Sequence, residues 1–583
     1  MNPEQFLDHF DRISDAPDAI PRLRRFILDL AVRGKLVEQD PRDEPAHRLL
    51  ETIKKQKIQM LLDKGIRGEQ EVERSIPINA PEIPTSWAWA YVDDVAIVQG
   101  GKRLPKGAKL SEEPTGHIYI RVTDMKNGTI SPDHLQYVSR EVQLAIARYT
   151  INKEDLYITI AGTIGQVGRV PEFYDGHNLT ENAAKIVFRG LNGDFLCLVL
   201  SSQVVQQQFK EKTKQMAQPK LALKRILGAK FPLPPLAEQH RIVATVDELM
   251  ALCDRLEKSQ AECESRRDRL VASSLNRLNN GAEPDAFRDH ARFYFNHLPR
   301  LTTKPEHIQQ LRQTILNLAV RGKLVPQDPN DEPVSMLLEN LRAEQEELIK
   351  TRVLKLKKEE AQLLEDELPL EVPPTWQWVP LSRVIVFGPQ NGISPKPSSQ
   401  PDALKAITLT ATTSGQFDPQ HFKRVEANIP PNSEFWLRSG DLLFQRGNTR
   451  EYVGIAAYYM GEPRQFLYPD LMMKVRLSQT VSLRYVHLWS LSPPARGYFS
   501  ARATGAQATM PKINQGILLQ LPIPLPPLAE QHRIVAKVDE LMALLDKLEA
   551  QIATTHADSR RFLEAVLHGA LAGPSEFEQG VLQ

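Results

Sequence analysis

The sequence predicts an α/β protein built twice over, two globular α/β domains joined by long helices with a pseudo-twofold internal repeat. Three observations carry that prediction. The segment Leu233-PPLAEQHRIVATVDELMALCDRLE-257 recurs as Leu525-PPLAEQHRIVAKVDELMALLDKLE-549, identical at 22 of 25 positions. Phe26-ILDLAVRGKLVEQDPRDEP-45 recurs as Thr314-ILNLAVRGKLVPQDPNDEP-333, identical at 16 of 20, and Pro84-TSWAW-89 is echoed by Pro373-PTWQW-378. Between these constant blocks the halves share almost nothing beyond Asp155-Leu156 against Asp441-Leu442 and Pro219-Lys220 against Pro511-Lys512. A repeat of about 290 residues is far longer than a solenoid unit, so two large half-molecules are implied.

The chain therefore parses as an N-terminal frame segment (1–80), a first insert (81–235), a central helical region (236–372), a second insert (373–525) and a C-terminal helical region (526–583). Duplication followed by uniform drift would blur every part alike. Constant frames around divergent inserts suggest one architecture presenting two different surfaces.

The block after Pro234-Pro235 reads as a helix. Proline suits its first turn, Glu238 complements the helix dipole, and no Pro or Gly follows until Gly281. Ile242, Val246, Leu249, Cys253 and Leu256 step by heptad spacing, as do Ile534, Val538, Leu541, Leu545 and Leu548 in the second copy. Such seams either pack on their own domains or form an antiparallel coiled-coil spacer, and their matching favours the spacer. Residues 333–367, with Leu337, Leu341 and Leu348, also read as helix, and 45–73 as a shorter counterpart.

The inserts have another texture. Short β-rich runs broken by Gly, Pro and Asn, such as Leu156–Val170, Ala183–Phe188, Leu442–Gly447 and Met472–Leu477, alternate with helical stretches at 195–212 and 481–489. Each is expected to be an α/β domain of about 150 residues.

Composition places the chain among soluble globular proteins, with 41% hydrophobic and 25% charged residues. The N-terminus lacks the pattern of a signal peptide. No apolar run approaches the ~20 residues of a membrane helix. Three cysteines in 583 residues make no disulfide framework, so a reducing, cytoplasmic setting is expected. The net charge of +1 conceals a division: residues 81–235 carry 19 basic and 15 acidic side chains, and residues 373–525 carry 15 and 8. Net charges of +4 and +7 on the inserts leave −10 on the frame. Basic modules on an acidic frame are the electrostatic footprint of phosphate binding.

With its duplicated LPPLAEQHRIV helix starts, its LAVRGKLV-x-QDP-x-DEP segments and its two variable inserts, the chain resembles the specificity subunit of type I restriction-modification systems. The resemblance covers nearly its whole length. It implies that each insert is a target-recognition domain reading one half of a split, asymmetric double-stranded DNA target. It implies partners too: two methyltransferase subunits, which would carry S-adenosylmethionine, and restriction/translocase subunits, which would use ATP and Mg. No cofactor or metal is expected in this chain.

The residues point the same way on catalysis. Ser492-Pro-Pro-Ala495 lacks the aromatic that would stack on a flipped base, and no Gly-rich cofactor loop precedes it. No GxxxxGK[ST] phosphate loop exists. Pro469-Asp-Leu-Met-Met-Lys474 lacks the acidic residue that would complete a nuclease-type metal site, and reads better as a strand entry. Cys197, Cys253 and Cys263 lack zinc spacing. His240 and His532, in the duplicated helix starts, suit a structural or partner-contact role. A fused restriction–methylation enzyme and a two-armed protein scaffold without base readout stay as alternatives, the first weakened by the missing motifs and the second by the basic inserts.

DNA contact calls for donors in loops beside the sheets. The candidates in the first insert are Gln99, Lys102, Arg103, Lys106, Lys109, Thr163, Gln166 and Lys220. Those in the second are Gln390, Asn391, Lys396, Arg446, Asn448, Thr449, Arg450 and Lys512, with Arg446–Arg450 the densest cluster.

Overall fold

The structure, a computed structural model, describes residues 18–63, 80–210, 220–280, 284–352, 368–504 and 510–572, with 72, 74, 75, 77, 354 and 363. It divides into two units, residues 1–262 with 556–583 and residues 263–555.

In the first unit, α1 (Ala19–Val32) and α2 (Ala46–Asp63) precede the insert. The insert opens on β1 (Ala88–Tyr91) and closes on β6 (Lys230–Leu233), which pair antiparallel. Between them β2 (Ala96–Gly100), β3 (Leu156–Thr159), β4 (Val167–Arg169) and β5 (Ala183–Phe188) form an antiparallel sheet in the order β2-β5-β3-β4. Strand alternation assigns its faces. Leu156, Ile158, Ala184 and Ile186 point to one core, covered by Phe195, Val199, Phe209 and Ile226 from α3 (Gly193–Ser201), α4 (Gln203–Lys210) and α5 (Leu223–Leu227). Tyr157 and Ala183 point to the other core, with Ile120, Ile151 and Leu179. Beyond β6 runs α6 (Leu236–Asn280), 45 residues long, so about 68 Å at 1.5 Å per residue.

The second unit repeats the plan. Helices α7 (Pro305–Val320) and α8 (Val334–Lys350) are followed by β7 (Gln377–Pro380) and β8 (Ile385–Asn391). Then come β9 (Asp441–Gln445), β10 (Ala456–Tyr459), β11 (Met472–Leu477), α9 (Leu483–Leu491), α10 (Pro493–Arg502), α11 (Gln515–Leu519) and β12 (Pro522–Leu525). Strand β7 pairs with β12, and the sheet order is β8-β11-β9-β10, again antiparallel. Leu442, Phe444, Met473 and Val475 face one core, and Leu443 and Met472 the other. The last helix, α12 (Leu528–Ala572), is also 45 residues long.

One helix is shorter than the sequence suggests. The expected helix over 333–367 ends at Lys350, where Thr351 caps it and Arg352 turns left-handed (φ 59°). The Leu354 N–H donates to the Leu348 carbonyl and its side chain is buried, which turns the chain back under the helix. The rest of that stretch, apart from Leu354 and Leu363, and most of 64–73 lie outside the described residues up to 367.

The seam residues Ile242, Val246, Leu249 and Leu256 share a core with Ile20 and Ile27 of α1. Ile534, Val538, Leu541, Leu545 and Leu548 share one with Ile308, Leu311 and Ile315 of α7. Each unit also holds the far end of the other long helix. Leu563 and Val566 of α12 pack on Ala19, with Arg22 2.8 Å from Glu564. Val271, Leu275 and Leu278 of α6 join the α7 core, with His307 2.8 Å from Asp268. The N-terminal half of one long helix and the C-terminal end of the other thus both pack on a short helix in each unit. Two α/β domains joined by long helices are the fold class observed.

The duplicated motifs contact one another. Glu238 and Gln239 at the start of α6 are 1% and 0% exposed. Gln39, of the QDP segment, donates to Glu238 at 2.6 Å, and Ser86 donates to Gln39 at 2.8 Å. Gln239 accepts from the Asn192 N–H at the start of α3 (3.0 Å) and donates to the Pro234 carbonyl (3.0 Å). Arg241 holds Asp43 at 2.7 Å. The second copy repeats every bond: Gln327 to Glu530 (2.6 Å), Thr375 to Gln327 (2.7 Å), Ser482 N–H to Gln531 (2.9 Å) and Arg533 to Asp331 (2.6 Å). Gly34 and Gly322, both at φ +67°, lie against Pro84–Trp87 and Pro373–Trp376, where a Cβ would meet a proline ring at 2.5 and 2.4 Å.

The Arg533 hydrogen bonds hold the Asp331 carboxyl below its ordinary range, against a smaller effect of burial. A lowered folded pKa contributes stability above the unfolded value, and that stability is lost as pH falls through the folded one. Asp331→Asn is therefore expected to cost about 1 kcal/mol at neutral pH, since Arg533 is partly solvated. The difference from the unsubstituted protein should close below about pH 4, as read from urea unfolding at several pH values.

Candidate nucleic-acid interface

The antiparallel order brings four strand ends to one edge of each sheet. In the first unit these are the C-termini of β2 and β3 and the N-termini of β4 and β5. Gln99 is the penultimate residue of β2, cross-strand from Lys185 of β5. Gly101 follows, pressed so closely on the chain before β5 that a Cβ would stand 2.1 Å from the Thr180 carbonyl oxygen. That contact fixes Lys102, whose N–H donates to the Leu179 carbonyl at 2.9 Å. Lys102 and Arg103 are exposed, and Arg103 pairs with Glu181 at 3.2 Å.

Exposed Thr163 and Gln166 occupy the β3–β4 loop, tied down where the buried Thr159 hydroxyl donates to the Thr163 carbonyl and accepts from the Gln166 N–H. The Leu221 N–H donates to the Ile160 carbonyl at 2.8 Å, which seats Lys220 beside the same loop, its ammonium 3.3 Å from the Glu181 carbonyl. The edge thus gathers Gln99, Lys102, Arg103, Thr163, Gln166 and Lys220. Lys106 and Lys109 are exposed farther along the segment after β2.

The second edge matches it. Gln390 and Asn391 end β8, with Gln390 cross-strand from Lys474. Gly392 is pressed on the chain before β11, where a Cβ would lie 2.1 Å from the Tyr468 carbonyl oxygen. Arg446 follows β9, its N–H donating to the Leu471 carbonyl at 2.7 Å. A backbone bridge joins Gly447 to Lys512, and Asn448 donates to buried Gln445 at 2.6 Å. Arg450 donates to the Ser500 carbonyl at 3.2 Å, and the Thr449 carbonyl accepts from Tyr452 and Val453. The Arg446–Arg450 loop and Lys512, far apart in sequence, are neighbours. Lys396 lies elsewhere, on the short strand 396–397 of a separate three-stranded sheet.

Sequence reasoning missed the groups beneath these edges. Lys474 is fully buried, 3.3 Å from equally buried Asp441, and donates to the carbonyls of Glu434 (2.5 Å) and Trp436 (3.0 Å). Burial pushes its pKa below the ordinary lysine value, against the pull of Asp441. Lys185 and Asp155, 4.0 Å apart, are their counterparts. The Asp-Leu echo in the two inserts was the one visible sign. Pro469–Lys474 is the entry to β11, with Asp470 engaged by Ser394. Among the described residues no His/Cys/Asp/Glu group could hold a metal ion, and no helix is long and apolar enough to cross a membrane. Cys253 is buried in the first core, Cys197 is partly buried, and Cys263 is exposed.

Two modules of one topology each gather donor side chains at the same end of their sheet, and each is bounded by duplicated helical segments. The chain matches the family model of the type I restriction modification DNA specificity domain over residues 84–263 and 422–555, and it belongs to that family. It is similar to the type I restriction enzyme EcoEI specificity subunit of Escherichia coli, at 27% identity over 95% of this chain and 94% of that one. The EcoAI specificity subunit of Escherichia coli shows the same identity and coverage. Among solved structures, the HsdS subunit from Thermoanaerobacter tengcongensis is 19% identical over 84% of this chain and 98% of its own, with a TM-score of 0.42. The chain is a non-catalytic specificity subunit of a type I restriction-modification system.

Gly101→Ala and Gly392→Ala should each cost about 1–3 kcal/mol, the usual cost of forcing an atom into a packed site. Hydrogen exchange should show lost protection around 99–102 and 179–182 for the first variant, with the second unit unchanged, and the converse for the second.

Proposed function

We propose that each α/β module reads one half of a split, asymmetric double-stranded DNA target through its sheet-edge loops, and that the long helices set the gap between the halves. The observation that carries this is the equivalence of the two edges. Gln99 with Gln390, Gly101 with Gly392 and Lys220 with Lys512 hold the same positions, while the loops between them differ in length and donors. A common scaffold with shared phosphate-seeking positions and unlike loops suits one binding mode with two sequence preferences. Net charges of +4 and +7 on the modules support it.

The long helices carry a second signal. Ala237, His240, Ala244, Glu248, Ala251 and Leu252 are exposed, and so are their identical counterparts Ala529, His532, Ala536, Glu540, Ala543 and Leu544. Exposed positions drift unless something touches them, so an unchanged stripe supports two copies of one partner docking here. In this reading those copies are methyltransferase subunits carrying S-adenosylmethionine. Restriction subunits using ATP and Mg join the assembly, which acts on DNA in the cytoplasm.

Replacing residues 81–235 by the corresponding module of another specificity subunit should change one half of the methylated target and leave the other half and the gap intact. Methylation-sensitive sequencing reads this directly. A change in both halves would refute the modular reading.

A further inference from the structure

Because the two modules share one topology, each position has a counterpart that the ladders identify. Lys185 matches Lys474, each cross-strand from a glutamine. Thr150 pairs with Asn178 as Trp436 bridges Leu467, so Thr150 matches Trp436 and, two residues earlier, Arg148 matches Glu434.

In the second module the space beside the buried lysine is filled from within. The Trp436 indole is 7% exposed, and the Glu434 carboxylate lies 3.7 Å from Lys474 and 2.6 Å from Arg476. With Asp441 2.5 Å from Arg476, two cations face two carboxylates. The first module keeps the lysine and the aspartate, with Lys185 donating to the Thr150 carbonyl at 2.6 Å and Asp155 4.0 Å away. There a threonine replaces the indole and an arginine replaces the glutamate. The result is a cleft of about 330 Å³ lined by Gln99, Arg148, Tyr149, Thr150, Leu179 and Lys185, with two cations and no carboxylate on its wall. Lys102 stands over the Tyr149 ring at 5.4 Å.

We propose that this cleft binds a phosphate of the DNA backbone, whose oxyanion stands where the Glu434 carboxylate stands in the second module. The proposal rests on reading the sheet edges as DNA-facing. Arginine offers a planar fork suited to phosphate oxygens, with lysine and the glutamine amide as further donors. The cleft is continuous with Gln99 at that edge, which favours a phosphate on DNA over a free ion. A contact of this kind adds affinity on every sequence and no base preference of its own.

The test uses the full-length chain in its complex and two duplexes, one recovered by selection from a random pool and one unrelated. Arg148 is exposed, so Arg148→Ala and Arg148→Glu leave the core untouched. Arg148→Glu combined with Thr150→Trp recreates the arrangement of the second module. Each variant should weaken both duplexes by a similar factor, and the slope of log affinity against log salt should become shallower by about one.

If wild type selects a sequence and the variants keep its affinity and salt slope, the cleft is not a DNA phosphate site. If wild type selects no sequence, the reading of the edges as DNA-facing fails first. Inorganic phosphate is the second probe. Should it raise the melting temperature of wild type but not of Arg148→Glu, while the salt slope on DNA stays unchanged, the site takes a free ion and the proposal is overturned.

Discussion

The arrangement depends on a buried glutamate at the start of each long helix. Glu238 and Glu530 are almost wholly out of water, and burial, the largest influence on them, raises their pKa. Such a group is tolerable only with a donor in reach, since a buried polar group left unpaired costs more than a hydrogen bond returns. Gln39 and Gln327 are those donors, and they come from the other duplicated segment. The next residue, Gln239 or Gln531, accepts from the backbone at the start of a module helix. The residue two further on, Arg241 or Arg533, holds an aspartate of the DEP turn. Three positions within four residues thus join frame segment, long helix and module, and no single one can change alone without orphaning a partner.

That constraint explains why identity is so uneven along the repeat. The frame motifs are the mutual contacts of one lock, so they stay fixed together. The module cores obey a looser rule. A strand face needs apolar side chains of suitable volume at alternate positions, and many sequences satisfy that. Ala183–Phe188 and Met472–Leu477 occupy the same place in the two sheets and share only the lysine that meets a buried aspartate. Where the chemistry is charged and buried, the residue is kept. Where it is apolar, only the pattern is kept.

The same distinction decides how much was legible in the sequence. The repeat, the long helices, the extent of the α/β inserts and the charge division are all written in identities, periodicity and counts. The sheet order is not, because strands that pair lie far apart along the chain, as Gly100 and Ala184 or Gln377 and Leu525 do, and carry no local sign of their partner. The candidate donors group in the sequence only along the chain, as at Arg446–Arg450, and only folding makes neighbours of that loop and Lys512. The end of α8 was overrun because the glutamate- and lysine-rich sequence keeps a helical pattern, whereas burial of Leu354 draws the chain away. Arg148 had no signal at all. Its meaning exists only by contrast with Glu434, and that contrast requires both folds side by side.

The net charge belongs to the same argument. Exposed charges are screened within about 8–10 Å under physiological conditions, so a ligand at a module surface feels the module and not the sum over the chain. An acidic frame under basic modules therefore does not cancel them. On the proposed reading it keeps the helical surfaces from competing for a polyanion, while the backbone at the sheet edges is positioned by the close contacts of Gly101 and Gly392. The lock keeps the frame constant, the charge division sends the ligand to the modules, and the loops are then free to differ without disturbing either.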